Sequence, residues 1–193
     1  MKSILKIICV GLLSLTFANA TPHVVDTVHS EVGFSVKHLM ITNVKGEFKK
    51  FDGEIDFDYK TKKFNKLVGI IEANSVNTGI EKRDNHLRSA DFFYAEKYPQ
   101  IKFEMKTYKQ ESPSEGKMLG DITIRGVTKP IELEVKDIGT VKDLKGNNRV
   151  GFTLEGKINR TDFGLKWNKA LEFGGIAVGE EVKIIVDISA VEK

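Results

Sequence analysis

The sequence has 193 residues, 40% of them hydrophobic and 30% charged, with 30 lysines and arginines against 27 acids and a formal charge of +3. That near-balance argues against a nucleic-acid surface, and the apolar share suffices for one domain with a sizeable core. The single cysteine, Cys9, excludes an intrachain disulfide and leaves no thiolate metal motif.

In chain order, Lys2 and Lys6 flank the start of the apolar run Ile7 to Leu15, which reaches the small residues of Ala18-Asn19-Ala20. This is the pattern of a secretory signal, with cleavage expected after Ala20 and residues 21–193 forming one exported domain. Periplasmic residence is the expectation, with release from the cell left open. The run is too short for a spanning helix of about 20 residues, and no later segment supplies a transmembrane span. Losing the leader would remove Cys9 and bring the formal charge from +3 to +1.

Beyond the leader, alternation with a period of two dominates. The stripe Val32, Phe34, Val36 opens it, and the long pattern from Val44 to Tyr59 sets Gly53, Ile55 and Phe57 against Asp52, Glu54, Asp56 and Asp58. Leu67 to Ala73 makes a weaker third strand. There the alternation stops: Thr78-Gly79-Ile80-Glu81 has capping-box spacing, predicting a short helix ending near Ser89, followed by the aromatic stretch Asp91-Phe92-Phe93-Tyr94. Alternation resumes with Ile101, Phe103 and Met105, then Met118 to Ile124, then Ile131, Leu133 and Val135. Val150, Phe152, Leu154 and Ile158 form a seventh strand, and Val182, Ile184, Val186 and Ile188 an eighth. Between these last two lies an irregular region, Asn159 to Gly179, whose Phe163, Leu165, Trp167, Leu171 and Phe173 suit the wall or lid of a pocket. Eight half-wet strands imply antiparallel order, because parallel strands are usually covered on both faces. Periodicity leaves a two-sheet sandwich and a closed barrel open. Gly53 and Gly69 fall on the inner face, where they either leave room for a guest or relieve packing.

Groups able to do chemistry are few. There is no nucleophile elbow, phosphate-cradling loop or paired-histidine metal motif, and the acids from Asp52 to Asp58 read as a solvated face. His23, His29, His38 and His86 match no compact metal spacing, so no metal and no catalytic residue is expected. His38 shares the parity of Phe34 and Val36 and could meet a polar ligand head or serve the structure alone. Asp84 reads as a structural anchor, Arg88 as a candidate for the pocket mouth, and Arg160 with Asp162 as a buried pair organising the lid.

Several stretches carry a resemblance. Asp26-Thr27-Val28-His29-Ser30, Gly46-Glu47-Phe48, Arg83-Asp84-Asn85-His86-Leu87, Tyr98-Pro99-Gln100-Ile101-Lys102-Phe103, Gly120 through Pro130 and Asn159-Arg160-Thr161-Asp162-Phe163-Gly164 together make the chain resemble the YceI-like family. That family is also described as polyisoprenoid-binding periplasmic proteins. The resemblance implies an all-β fold: an eight-stranded antiparallel lipocalin-like barrel with a short helical insertion between strands 3 and 4. It also implies an inner channel for a noncovalently held isoprenoid or other long-chain lipid. The function expected is noncatalytic binding, carriage or sequestration of a polyisoprenoid, isoprenoid quinone or fatty amide, against a structural module with a filled core or a lipid-modifying enzyme. Phe34, Val36, Ile55, Phe57, Ile71, Phe103, Ile122, Leu133, Phe152 and Ile184 are expected to line the channel or pack its closed end. His38 is expected near a mouth, and Trp167 and Phe173 nearer a lid. The resemblance also allows a homodimer, which would have to form through the mouth loops because a closed barrel offers few free strand edges.

Overall fold

In the computed structural model, which describes residues 21–172 and 174–193, the alternating stripes become eleven strand segments. The expected leader and Phe173 lie outside the described residues. The segments are β1 (Pro22–Val25), β2 (Glu31–His38), β3 (Thr42–Phe48), β4 (Phe51–Asp58), β5 (Lys63–Glu72), β6 (Val76–Asn77), β7 (Gln100–Gln110), β8 (Gly116–Ile124), β9 (Val127–Lys142), β10 (Asn148–Asn159) and β11 (Val178–Glu192). One helix, α1 (Glu81–Arg88), and two 3-10 turns, Ala73–Ser75 and Arg160–Phe163, complete the described elements.

Every pairing is antiparallel, and the order β1-β4-β5-β7-β8-β9-β10-β11 closes on itself through β1 and β11. The fold is therefore an eight-stranded antiparallel barrel. One edge of β11 serves two neighbours: Ala190–Glu192 face His23–Val25 of β1, while Val178–Asp187 face Glu31–His38 of β2. β1 and β2 thus form one wall strand broken at 26–30. In the same way β3 runs on into β4 and β5 into β6. The last two breaks are tied together, since the Lys49 amide donates to the Ser75 carbonyl and the Lys50 amide to Ser75 Oγ. Because of these breaks α1 lies between β6 and β7 rather than between a third and a fourth strand segment.

Local chemistry sets the connections. The β8–β9 turn is the two-residue pair Arg125-Gly126, both at positive φ (52° and 74°), the backbone that matches the twist of a tight hairpin. Thr78 does not open a capping box: the residue before the helix is Ile80, which makes no side-chain cap. Instead the buried carboxylate of Asp84 accepts the Thr78 amide and hydroxyl, and Arg83 donates to the Thr78 carbonyl and hydroxyl oxygens. Arg88 donates to the carbonyls of Asn74 and Val76, so it locks α1 onto the β5–β6 corner and not onto a pocket mouth.

The barrel end away from α1 is filled. Phe57, fully buried, meets Phe64 at 5.0 Å between ring centroids, and Phe64 meets Phe152 at 4.8 Å and Tyr108 at 5.1 Å. His23 is buried in this cluster with Nε2 2.7 Å from the Tyr59 hydroxyl, whose pKa burial pushes up to about 12. Aromatic contacts of this kind contribute about 0.5–1.5 kcal/mol each beyond area burial.

Outside the plug, Arg149 Nη1 donates to Asp26 at 2.8 Å and Arg149 Nε to Asp143 at 3.2 Å. Arg149, then His29, hold Asp26 at about 2. Burial pushes Asp143 up, but Asn147 and Arg149 outweigh it and hold it at about 2 as well. Both carboxyls are lowered from 3.8, so their contribution to stability is complete above about pH 4 and is lost as the pH falls towards 2. In Arg149→Gln the acid limb of the stability curve should flatten over that window while stability also drops at neutral pH, as read by urea denaturation across a pH series.

Candidate binding cavity

Towards α1 the inward columns no longer fill the barrel. Gly53 and Gly69 face each other across β4 and β5, but they act differently. A Cβ on Gly53 would lie 2.9 Å from the Val68 carbonyl oxygen, so that glycine permits close strand contact. A Cβ on Gly69 would have only Phe103 Cβ near it, at 4.0 Å, so that glycine leaves open space. The result is a partly open cavity with about 1410 Å³ free of protein atoms, its mouth and adjoining solvent included.

Eight of the residues expected from parity border this space: Phe34 and Val36 of β2, Ile55 of β4, Ile71 of β5, Phe103 of β7, Ile122 of β8, Leu133 of β9 and Ile184 of β11. Phe57 and Phe152 share their parity but lie in the filled end. His38 is half-buried at the last position of β2, between Thr42 and Val178, and is not part of the lining. Trp167 is also off the lining. Its ring meets Phe92 at a tilt with centroids 5.5 Å apart and His86 edge-on at 4.8 Å, so it backs Phe92, which does face the cavity. The structure adds Phe48, Phe92, Phe93, Phe163 and Leu165 to the wall. Phe48 bridges Phe34 and Phe93 with centroids 5.8 and 5.5 Å away. The density of aromatics at 92–94 and in the region 159–179 was the available signal, but period-two reasoning cannot assign a face to irregular segments.

Two charged residues, Asp52 and Arg160, appear in the lining. Asp52 is exposed and accepts from the Gly53 amide at 2.7 Å. Arg160 is 4% exposed and does not pair with Asp162, which points to solvent. The 3-10 turn at Arg160–Phe163 separates the two. Arg160 instead donates Nε to the Gly179 carbonyl at 2.8 Å, Nη1 to the carbonyls of Trp167 at 3.0 Å and of Leu165, and Nη2 to that of Val178 at 3.1 Å. Burial lowers its pKa and Glu180 raises it, and a guanidinium so shifted keeps its proton at any ordinary pH. Arg160 thus fastens the segment 165–179 across the barrel end, with carbonyl dipoles in place of a counter-ion.

The other candidates lie elsewhere. His29 sits 2.9 Å from Asp26 on the surface, and His86 is 2.9 Å from Asp91. Among the described residues no three histidines, cysteines or acids gather as a metal site.

Comparison with known proteins agrees with this architecture. A family model described as the YceI-like domain matches residues 23–190. A UPF0312 protein of Staphylococcus aureus strain N315 is 39% identical over 159 residues, which is 82% of this chain and 90% of that protein. The crystal structure of the Campylobacter jejuni YceI protein superposes with a TM-score of 0.73 at 41% identity, covering 87% of this chain and 96% of that one. A polyisoprenoid binding domain from Saccharophagus degradans has the same fold, with a TM-score of 0.63 at 15% identity, covering 90% of this chain and 99% of that one. The chain belongs to the YceI-like family.

The role of Arg160 is open to direct measurement. Arg160→Met should lower unfolding free energy by about 3 kcal/mol, because the buried Leu165 carbonyl and the part-buried carbonyls of Trp167 and Gly179 lose their donor while that of Val178 keeps only Asn168, and should speed hydrogen exchange around Leu165, Trp167 and Val178. Arg160→Lys should rescue little of this, since three donors on a compact ammonium cannot span four carbonyls.

Proposed function

We propose that this member of the YceI-like family binds one extended apolar chain in the barrel cavity, without chemical conversion, and serves as a carrier or sequestering protein. The observation that carries the reading is the lining: it is apolar but for Asp52 and Arg160, and both of those already hold hydrogen bonds within the protein. A cavity of that character favours hydrocarbon over polar guests. A polyisoprenoid, an isoprenoid quinone or a fatty amide fits this description, and the name of the Saccharophagus relative supports the first of these. The tail would lie against Phe34, Val36, Ile71, Phe103 and Ile184, stopping at the plug of Phe57 and Phe152, with the head group towards α1, His38 and the Trp167 segment.

Energetics permit useful affinity. At about 0.8 kcal/mol per buried methylene, ten carbons supply about 8 kcal/mol, and micromolar binding needs about that net amount. A longer tail therefore covers the ordering losses that accompany binding. A filled-core module would have no reason for the open space at Gly69. An enzyme would need a nucleophile and base in hydrogen-bond reach of the guest, and neither lining charge forms such a pair. Export to the periplasm places such a carrier between membranes, and a homodimer around the mouths remains part of the proposal.

Native extraction with mass spectrometry should recover a copurifying long-chain lipid, and titrations with isoprenoids of increasing length should saturate. Val36→Trp and Ile71→Trp should stay folded by thermal melting, and both should weaken long-tail binding about tenfold more than short-tail binding. An unchanged length preference in both folded variants would sink this assignment of the channel.

A further inference from the structure

At the end of the barrel nearest the Trp167 segment, the β2–β3 turn sends three large apolar side chains in succession into solvent. Leu39, Met40 and Ile41 are 40%, 54% and 77% exposed. Leu39 and Met40 also have positive φ, 49° and 64°, a conformation in which glycine or asparagine would be at ease and a leucine or methionine is not. Neither solubility nor backbone comfort explains these residues. The turn borders the cavity: Val36 precedes it on β2, and across from it Val178 of β11 follows Ala177, whose carbonyl accepts the Leu39 amide at 2.9 Å. Ala177 in turn donates its amide to Lys169 at 2.9 Å, which brings the segment 165–177 alongside. Met40 and Leu171 both lie beside Gly175.

The charges around this finger are mostly positive, with Glu172 and Glu180 the nearby acids on the adjoining segment and on β11. Lys37 and Lys45 stand beside it on β2 and β3, Lys166 and Lys169 on the adjoining segment, and all four are exposed. None of them joins an ion pair among the described residues, unlike Lys66, Lys106, Lys117 and Lys136 on the barrel wall, although loop lysines such as Lys142 and Lys145 at the opposite end are unpaired as well. Between 37 and 45 there is no acid, and between 164 and 177 only Glu172. The opposite end also exposes apolar residues, Val28 at 84% and Leu144 at 109%, but there Arg149 is matched by Asp26 and Asp143.

We propose that Leu39, Met40 and Ile41 insert into the head-group layer of an anionic phospholipid bilayer while Lys37, Lys45, Lys166 and Lys169 face its phosphates. A convex apolar tip ringed by unpaired lysines suits a bilayer, which needs no complementary pocket and rewards each basic side chain. A protein interface core, by contrast, is depleted in lysine. Docking sets this end of the cavity against the membrane, so that an apolar tail can pass without crossing water. That passage rests on the binding function proposed above; the docking itself does not.

The test is cosedimentation of the purified protein with vesicles of phosphatidylethanolamine and phosphatidylglycerol, against vesicles of phosphatidylcholine, at low and high salt. The protein should bind the anionic vesicles at low salt and release at high salt. Met40→Asp/Ile41→Asp should lose about tenfold or more of the partition coefficient, and Met40→Ser/Ile41→Ser, which adds no charge, should also lose severalfold. Lys37→Gln/Lys169→Gln should lose about tenfold at low salt, at roughly fivefold or less per lysine, and little at high salt. Val28→Asp/Leu144→Asp at the opposite end should bind like the parent. Aspartate tolerates positive φ, so the finger variants should fold, which thermal melting checks.

The proposal is overturned if the parent ignores anionic vesicles at low salt, if folded finger variants bind like the parent, or if the Val28/Leu144 variant loses as much. It is equally overturned if the finger substitutions leave vesicle binding intact and instead turn a dimer into a monomer by light scattering, which would make the finger a contact with a second copy. Titration of a fluorescent long-chain fatty amide without vesicles separates the two proposals. Tail binding retained in a variant that has lost docking supports separate sites, whereas docking without any tail binding overturns the cavity function and leaves the finger standing.

Discussion

β11 carries two partners on a single edge, and the barrel exists because of it. Its C-terminal residues Ala190–Glu192 hold β1 and its longer N-terminal part holds β2, so the first and last wall strands of the chain are joined, with one break at 26–30 and a register shift between Val178 and Val182. With the ring closed, inward side chains from every strand face a common axis and must either fill it or leave it hollow. Closure also decides where the free edges remain. β3 has β2 beside it throughout, but β6 covers only Glu47 and Phe48 on the other side, so its start, next to the β2–β3 turn, keeps an unpaired edge.

The axis is filled at one level and hollow at another, and this division of labour suits a container. Phe57, Phe64, Phe152, Met118 and Val135 pack the far end, and that solid half supplies the contacts on which folding depends. In the half nearer α1 the same columns carry Gly69, Val36 and Ile184, and the space between them lacks atoms to touch. Walls around a void forgo dispersion contacts that a guest can restore, so binding and stabilisation point the same way.

The covering segment is secured in a manner that leaves the cavity apolar. Arg160 draws the carbonyls of Leu165, Trp167, Val178 and Gly179 to one guanidinium, which needs no carboxylate near the guest. Because a guanidinium does not titrate in the ordinary range, the fastening holds while the Asp26–Arg149–Asp143 cluster at the other end yields to acid. Lid and far end thus answer to different conditions.

The strands were legible in the sequence because a period of two is a local property: Phe34, Ile55, Phe103 and Leu133 face inward wherever their strands are placed. Family resemblance, read from the ordered stretches between Asp26 and Gly164, supplied the barrel that alternation alone left open against a sandwich. Parity could not separate Phe57 from Ile55, since both point to the axis and only their height along it puts one in the plug and the other at the cavity. Nor could it show that Arg160 would turn from Asp162 to four carbonyls, that Asp84 would hold Thr78, or that Leu39 to Ile41 would stand in water. The sequence determined which face each strand residue takes, because neighbouring bonds enforce it. Only the tertiary structure decided level, partner and exposure, because those depend on strands and loops brought together by ring closure from far apart in the chain.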